Sequence, residues 1–328
     1  MEDHNMEFPA ELKNLIYSKA EKYSISELKA VSKSITEKYK SESGMGKRLV
    51  TEELQALVYA VVRMPSTFGA VYSALEHTLE CVDIAKDDGL TLLDAGAGTG
   101  GASWAAAQLL ELSSVTCIER ENEMRRLGQE LMDNSSDAPG NAVWKAGDIG
   151  STELPERDIV ISSYVLNEMS PKQRAEAAVR LWEKTAELLL VIEPGTPAGF
   201  SGLMEIRSLL LSKGAFVAAP CVSCGDCPLP ENDWCHFTVR VQRSRLHKLI
   251  KEADVPYEDE KFSYMAFVRK KPVTPEGRVL RHPAIGKGSI GLELCTGDGL
   301  SSRTVTKKDK ENFRIARKLS AGDSVKSS

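Results

Sequence analysis

The stretch Leu92–Gly101, LLDAGAGTGG, determines how the rest of the chain is interpreted. Its apolar start predicts a buried strand that ends at Asp94 and runs into a glycine-rich turn, followed by an alanine-rich helix. Glycine lets the backbone turn sharply and approach a ligand closely, because it has no Cβ atom. The free N–H groups at the start of the helix point at whatever the turn holds. Strand, glycine turn and helix together predict a doubly wound α/β fold that binds an adenosine-type ligand.

Two further acidic residues follow at the ends of predicted strands. Glu119 comes about 20 residues after the glycines, where such folds bind ribose hydroxyls. Asp148 follows the next short apolar segment. This order of acidic residues and glycines resembles the class I S-adenosylmethionine-dependent methyltransferases more than the dehydrogenases. The resemblance implies that Glu119 holds the ribose, that Asp148 lies near the adenine, and that four residues line the methionine end: Asp94, Gly96, Gly98 and Gly100.

The end of the fourth predicted strand should complete the pocket. Residues 158–161 read as a central strand buried on both faces, and ligands bind at the carboxyl ends of such strands. Ser162 and Tyr164 are therefore cofactor-binding candidates. The Asp/Asn-Pro-Pro-Tyr/Phe motif of many base-modifying amino methyltransferases is absent there. The ends of the fourth and fifth predicted strands also offer no cysteine nucleophile. No catalytic residue is assigned, which suits either an enzyme or a protein that keeps the cofactor for structure or signalling.

Five of the seven cysteines lie late in the chain, which favours a metal site over disulfides in a reducing compartment. The first three are spaced C-x2-C-x2-C and are followed directly by proline, which is more usual for [4Fe–4S] binding. Zinc ribbons usually pair two separate C-x2-C knuckles, but zinc stays open as the alternative metal. Spacing alone favours Cys221, Cys224, Cys227 and Cys235 as the ligands.

Charge is distributed unevenly along the chain. From His236 to the end there are 20 Lys and Arg against 11 Asp and Glu, although the whole chain has a net charge of −5. A helix is predicted over 244–253, and four basic residues recur at helical spacing: Arg240, Arg243, His247 and Lys251. Such a face can follow an RNA phosphate backbone, or it can be a solvated surface without a partner.

Composition and the N-terminal sequence indicate the cellular compartment. The 328 residues are 42% apolar and 27% charged, as in globular proteins. No apolar run reaches about 18 residues, so no membrane helix is expected. The acidic start MEDHNMEF lacks the pattern of a secretory signal. We therefore expect a cytoplasmic protein, or one of the mitochondrial matrix if the chain is a processed organellar protein.

Several motifs together resemble the ribosomal small-subunit methyltransferase-like family, which has mitochondrial and bacterial members. They are APC, CPL, DWCHF, R-x-x-R-S-R-L-H and YEDEKFSY, and the similarity extends from Arg63-Met64-Pro65 to the basic tail. The resemblance implies a [4Fe–4S] cluster on Cys221, Cys227, Cys235 and Cys295, with Cys224 as a spare thiol. It also implies binding to the small ribosomal subunit and its rRNA as an assembly factor.

These observations predict an α/β protein with a class I S-adenosylmethionine methyltransferase (Rossmann-like) core, an N-terminal helical cap and a C-terminal cysteine-cluster extension. The expected divisions are a cap over 1–85, the core over 86–200, the cysteine-cluster segment with completing strands over 201–271, and a basic extension over 272–328. The expected function is a small-subunit assembly factor, monomeric off the ribosome, with methylation of its rRNA left open. The alternative is an active methyltransferase on a small molecule or protein, with a structural zinc site.

Overall fold

The computed structural model describes residues 6–42 and 48–325, which form helices around two β-sheets. The α-helices of this part of the chain are α1 (Ala10–Ala20), α2 (Ile25–Glu42), α3 (Glu53–Val62), α4 (Met64–Leu79), α5 (Gly101–Ala107), α6 (Asn122–Asp133), α7 (Pro171–Glu183), α8 (Pro197–Ser212), α9 (Arg245–Lys251) and α10 (Lys310–Ala316). The strands are β1 (Leu90–Ala95), β2 (Leu112–Glu119), β3 (Asn141–Ala146), β4 (Arg157–Ser163), β5 (Thr185–Pro194), β6 (Phe216–Ala219), β7 (Phe237–Gln242), β8 (Tyr257–Val268), β9 (Gly277–Val279), β10 (Ala284–Ile285), β11 (Ser289–Thr296), β12 (Gly299–Thr306) and β13 (Ser324–Val325).

The larger sheet has the strand order β3-β2-β1-β4-β5-β8-β6, and β7 also pairs with β8. Strands β1 to β5 are parallel, whereas β8 runs antiparallel to β5, β6 and β7. The chain winds outward from β1 in both directions, so the ligand crevice of such a sheet lies at the carboxyl ends of β1 and β4. This order, with one antiparallel strand between β5 and β6, is that of a class I methyltransferase core. The predicted fold class is therefore confirmed.

Alternation along the central strands divides the hydrophobic core between the two faces of this sheet. Leu92 of β1 belongs to the core beneath α3 to α6, whereas Leu93 belongs to the core beneath α7 and α8. Successive side chains of a strand point to opposite faces, so a wholly apolar strand can serve two helical layers. Because β1, β4 and β5 are packed on both faces, the loops at their carboxyl ends are held on a rigid base.

The N-terminal part of the chain is helical, and α3 and α4 are largely buried. Proline at the second position of α4 is tolerated because the first N–H groups of a helix have no intrahelical acceptor. Within residues 6–42 and 48–325, no single helix is long and apolar enough to span a membrane. The α3–α4 pair, bent by 48°, meets the same length and composition test only when both helices are counted together.

The smaller sheet is antiparallel and has the order β10-β11-β9-β13, with β12 pairing with β11. Ile290, Leu292 and Leu294 of β11 are buried in its small core, while Cys295 lies on the opposite face of the strand. The helix α10 begins at Lys310, because Asp309 caps it by accepting from the N–H of Asn312.

Arg278 joins the two sheets. Its side chain is fully buried, its Nε donates to the carbonyl of Pro220 at 3.2 Å, and its Nη1 donates to the carbonyl of Gly322 at 2.9 Å. Its Nη2 lies 3.6 Å from the Cys81 sulfur, and Glu80 is 3.9 Å away. One guanidinium therefore connects the end of α4, the loop after β6 and the smaller sheet.

Candidate functional sites

A cavity of about 100 Å³ opens at the carboxyl ends of β1, β2 and β4. The sequence-predicted residues that line it are Gly96, Gly98, Glu119, Asp148 and Tyr164. Residues from the first glycine turn, the second strand end, the third strand end and the fourth strand end thus meet at one place. This is the position at which a doubly wound sheet binds its ligand.

The turn after β1 depends on glycine. Gly96 has φ of +81°, which L side chains rarely adopt, and a Cβ there would lie 2.4 Å from Cγ2 of Val165. The helix α5 starts at Gly101, directly after the turn.

Three other predicted cofactor residues do not line the cavity. Asp94 is completely buried behind the turn, and its Oδ2 accepts from Ser103 N at 3.1 Å and from Ser103 Oγ at 2.7 Å. Burial raises the pKa of Asp94 to about 6. A Cβ on Gly100 would meet Met132, and Ser162 is fully buried. Asp94 therefore fastens α5 to β1 and shapes the turn from behind, instead of lining the cavity.

Carboxylates dominate the cavity wall. Glu119 accepts from the N–H of Gly98 at 2.7 Å and from the N–H of Glu121 at 2.7 Å. Burial raises the pKa of Glu119 and of Glu121. Burial also raises the pKa of Glu168 to about 7, and Arg120 opposes that rise. With four carboxyl groups and one guanidinium on its wall, the cavity suits a ligand with positive charge and hydroxyl groups.

Arg120 and the N-terminal helices complete this cavity, and the sequence did not identify them as site residues. Arg120 lies 3.7 Å from Glu121, 3.9 Å from Asp148 and 3.5 Å from Glu168. Tyr39 and Tyr59 line the cavity from α2 and α3. The sequence around these two tyrosines carries no binding motif, so it is the fold that brings them to the cavity.

Polar groups near the ends of β4 and β5 are engaged within the protein. Tyr164 has φ of +59°, and its hydroxyl donates to Glu260 at 2.9 Å. Arg63 donates to the same carboxylate at 3.2 and 3.4 Å. The buried Glu193 accepts from two backbone N–H groups of the 3₁₀ turn that follows β4. These contacts account for the polar side chains there without assigning any of them to catalysis.

A second cavity, of about 60 Å³, lies between the two sheets and is lined by four cysteines. Cys221, Cys227 and Cys235 come from the segment between β6 and β7, and Cys295 comes from β11. Cys224 is exposed and outside the cavity lining, and its sulfur lies 3.5 Å from the N–H of Val217. The geometry thus groups the four thiols implied by the family resemblance, not the four favoured by spacing.

The cysteine cavity is buried and partly basic. Burial raises the pKa of the Cys221 thiol to about 11, and the positive charge of Arg207 is the strongest influence opposing that rise.

Among the residues that the structure describes, no three His, Cys, Asp or Glu side chains are placed to hold a metal ion. Four thiolates around one zinc stand about 3.8 Å apart. The four cysteines of a [4Fe–4S] cluster each bind a different iron, so their sulfurs are farther apart.

The predicted basic helical face is not formed, so that interpretation is corrected. Arg240 lies on β7, and α9 begins only after Ser244, whose Oγ accepts from the N–H of His247. Strand, connection and helix therefore separate residues whose spacing looked helical. Arg240 forms two bonds with Asp259, at 2.7 and 2.8 Å. His247 is buried and lies 3.3 Å from Glu258, and Arg243 lies 3.5 Å from the same carboxylate. Lys251 is exposed at the end of α9.

Another basic surface lies on the smaller sheet. Its members are exposed and form no ion pair within the described residues: Lys307, Lys308, Lys310, Arg314, Arg317 and Lys318. They surround α10 and the end of β12, where Ile315 is also half exposed. We call this set the α10 basic surface.

Comparison with known proteins identifies the family. Residues 53–326 match the family described as mitochondrial small ribosomal subunit Rsm22. The human ribosome assembly protein METTL17, mitochondrial, is 29% identical over 294 residues, covering 82% of this chain and 62% of that protein. The Rsm22-cox11 tandem protein 2, mitochondrial, of Schizosaccharomyces pombe is 23% identical over 321 residues, covering 82% and 43%. The chain thus spans less than two thirds of these relatives' length.

Solved structures of methyltransferases also align with the chain. Magnesium protoporphyrin IX methyltransferase from Synechocystis PCC 6803, with bound SAM, has 15% identity and a TM-score of 0.43, covering 71% of this chain and 94% of that one. A SAM-dependent methyltransferase from Aquifex aeolicus has 15% identity and a TM-score of 0.42, covering 67% and 100%. The sequence match extends over more than half of the chain, and this protein therefore belongs to the Rsm22 family.

Proposed function

We propose that this protein is an assembly factor of the mitochondrial small ribosomal subunit that binds S-adenosylmethionine, a [4Fe–4S] cluster and rRNA. The observation that carries the proposal is the meeting of four cysteines from two sheets at one cavity, in a chain of the Rsm22 family. The curated relatives are named as mitochondrial proteins, which supports the mitochondrial matrix over the cytoplasm.

The acidic cavity supports S-adenosylmethionine as its ligand. The sulfonium and ammonium groups of this cofactor are cationic, and its ribose offers two hydroxyls to a carboxylate. Glu121 and Asp148 line the cavity beside Glu119. Calorimetric titration should show binding that weakens in E121Q, whereas the exposed Glu183 on α7 offers a matched control in E183Q. Equal affinities in the two variants, or no binding by the wild type, would contradict the cofactor assignment.

The cysteine cavity supports a cluster held by Cys221, Cys227, Cys235 and Cys295. Such a cluster would supply a one-electron centre that ties β11 to the segment before β7. The test is iron, zinc and acid-labile sulfide analysis of protein purified without air. The matched variants are C295S and C224S: the first should lose iron and sulfide, and the second should retain about four of each per chain. One zinc per chain, or loss in C224S alone, would refute this assignment.

The α10 basic surface supports RNA contact more strongly than the four residues predicted from spacing. Arg240, Arg243 and His247 face carboxylates of β8, whereas the α10 basic surface has no ion pair within the described residues. Each phosphate contact adds about 0.7 to 0.9 to the slope of log affinity against log salt. The double variant K307E/K308E should therefore lower rRNA affinity and flatten that slope. R240E/K251E should have a smaller effect; the reverse order would reassign the contact to β7 and α9.

Methyl transfer is not part of the proposed function, because Tyr164, Glu193 and Glu260 are engaged in internal hydrogen bonds. Labelled S-adenosylmethionine incubated with assembling small subunits should leave the rRNA unlabelled above background. Labelling that is lost in E121Q would establish an rRNA methyltransferase instead. Labelling of a protein or small molecule, together with one zinc per chain, would favour the alternative function.

A further inference from the structure

Arg207 of α8 is a buried cation without a carboxylate partner among residues 6–42 and 48–325. Its side chain lines the cysteine cavity and is 5% exposed. Its Nη2 donates to the carbonyls of Ser223 at 3.1 Å and Gly225 at 2.5 Å. Its Nε is buried and has no hydrogen-bond partner in the described part of the chain, which also provides no ion pair for this guanidinium.

The second arginine of the cavity provides a contrast. All three kinds of nitrogen in Arg278 have partners, and Glu80 lies 3.9 Å from its Nη1. A buried charge without an opposite charge is costly, because it has left water and gained no attraction in return. Besides the four cysteine sulfurs, the cavity lining holds Tyr264 and Asp226. Burial raises the pKa of the Tyr264 hydroxyl, which keeps it neutral, and Asp226 is exposed to solvent. The sulfurs are therefore the buried groups near Arg207 that a metal centre would make anionic. The unpartnered Nε–H and the unbalanced charge therefore point to an anionic thiolate centre.

We propose that Arg207 is a positioning residue of the cysteine cavity, whose guanidinium balances the charge of an iron–sulfur cluster and raises its reduction potential. The inference rests on the proposed cluster. Four thiolates give an oxidised [4Fe–4S] cluster a net charge of −2, and uptake of one electron makes it −3. A fixed positive charge and an N–H donor stabilise the −3 state more than the −2 state, since potentials of such clusters depend on net charge and on hydrogen bonds to sulfur.

The test uses the full chain reconstituted without air, as wild type, R207K, R207Q and R269M. Arg269 is a matched control, because it bonds the carbonyls of Trp182 and Thr185 and does not line the cysteine cavity. We would measure iron and sulfide content and the visible absorption. We would also measure the midpoint potential, in a dithionite titration followed by electron paramagnetic resonance. R207Q should shift the potential to more negative values and release iron to a chelator faster. R207K should recover most of the potential, and R269M should match the wild type.

Three outcomes separate the claims. Wild-type protein without iron and sulfide would overturn the proposed cluster and this role of Arg207 together. A wild-type cluster with an unchanged potential in R207Q would overturn only the role of Arg207. If R207Q folds poorly, its folded fraction is isolated and its potential is compared with those of R207K and the wild type. A potential of R207K as low as that of the R207Q fraction would show that the positive charge is not responsible.

Discussion

Replacing Arg278 with methionine tests whether one buried guanidinium attaches the smaller sheet to the larger one. The change removes the donors to the buried carbonyls of Pro220 and Gly322. Each buried carbonyl left without a partner costs about 1–3 kcal/mol, so R278M should lower the free energy of unfolding by about 2–6 kcal/mol. Urea unfolding measures the total, and hydrogen exchange of the amides in β9 and β11 shows whether the smaller sheet opens first.

Arg281 provides the matched control three residues along the same segment. It bonds Asp233 and the carbonyl of Leu280, but its side chain is 29% exposed. Partly exposed ion pairs contribute about 0.2–1 kcal/mol, so R281M should have an effect of that size. If R278M and R281M lower stability equally, or if exchange in β9 and β11 is unchanged in R278M, the assigned role of Arg278 is refuted.

Three further predictions concern the methyltransferase core. Alanine at Gly96 should lower the free energy of unfolding by about 2–4 kcal/mol, because of the positive φ and the contact with Val165. Adding V165A should recover only the part that is due to the contact. Urea unfolding of the single and double variants tests this. Burial raises the pKa of Glu168 from 4.5 to about 7, so the folded protein holds a proton that the unfolded chain releases. Stability from this group is present below pH 4.5 and lost as pH rises through 7, and the loss should be shallower in E168Q. Alanine at Gly128 would place a Cβ 2.2 Å from Trp144, so the Tm should fall although alanine favours helix; a raised Tm would contradict this packing.

The acidic cavity at the carboxyl ends of β1, β2 and β4 was predictable where its geometry is local. The turn at Gly96 and Gly98 and the position of Glu119 follow from one strand, one turn and the next strand end. The role of Asp94 was not predictable in this way, because the side chain that ends a strand can face the ligand or the following helix, and here it bonds Ser103. Arg120 carried no pattern of its own, since two of its three carboxylate neighbours, Asp148 and Glu168, lie far from it along the chain.

The basic residues show where periodicity misleads. The i, i+3, i+7 and i+11 spacing identifies one face only when a single helix contains all four positions. Arg240 and Arg243 precede Ser244, which caps α9, so the pattern extends across the end of a strand and the start of a helix. The carboxylates that pair with these residues lie on β8, which the sequence did not associate with them. Cys295 was likewise out of reach of spacing, and only the family resemblance indicated it.

The alternation of β11 makes the cysteine cavity sensitive to strand register. Leu294 faces the small core and Cys295 faces the other way, and Leu294 pairs with both Val279 and Ser301. A slip of one residue would turn the thiol into the apolar core and a leucine toward the other cysteines, because side chains alternate with a period of two. The tight connection from Thr296 to Gly299, closed by a 2.9 Å bond from Thr296 Oγ1 to the Gly299 carbonyl, holds that register. A two-residue hairpin loop thus determines which side chain β11 places in the cysteine cavity.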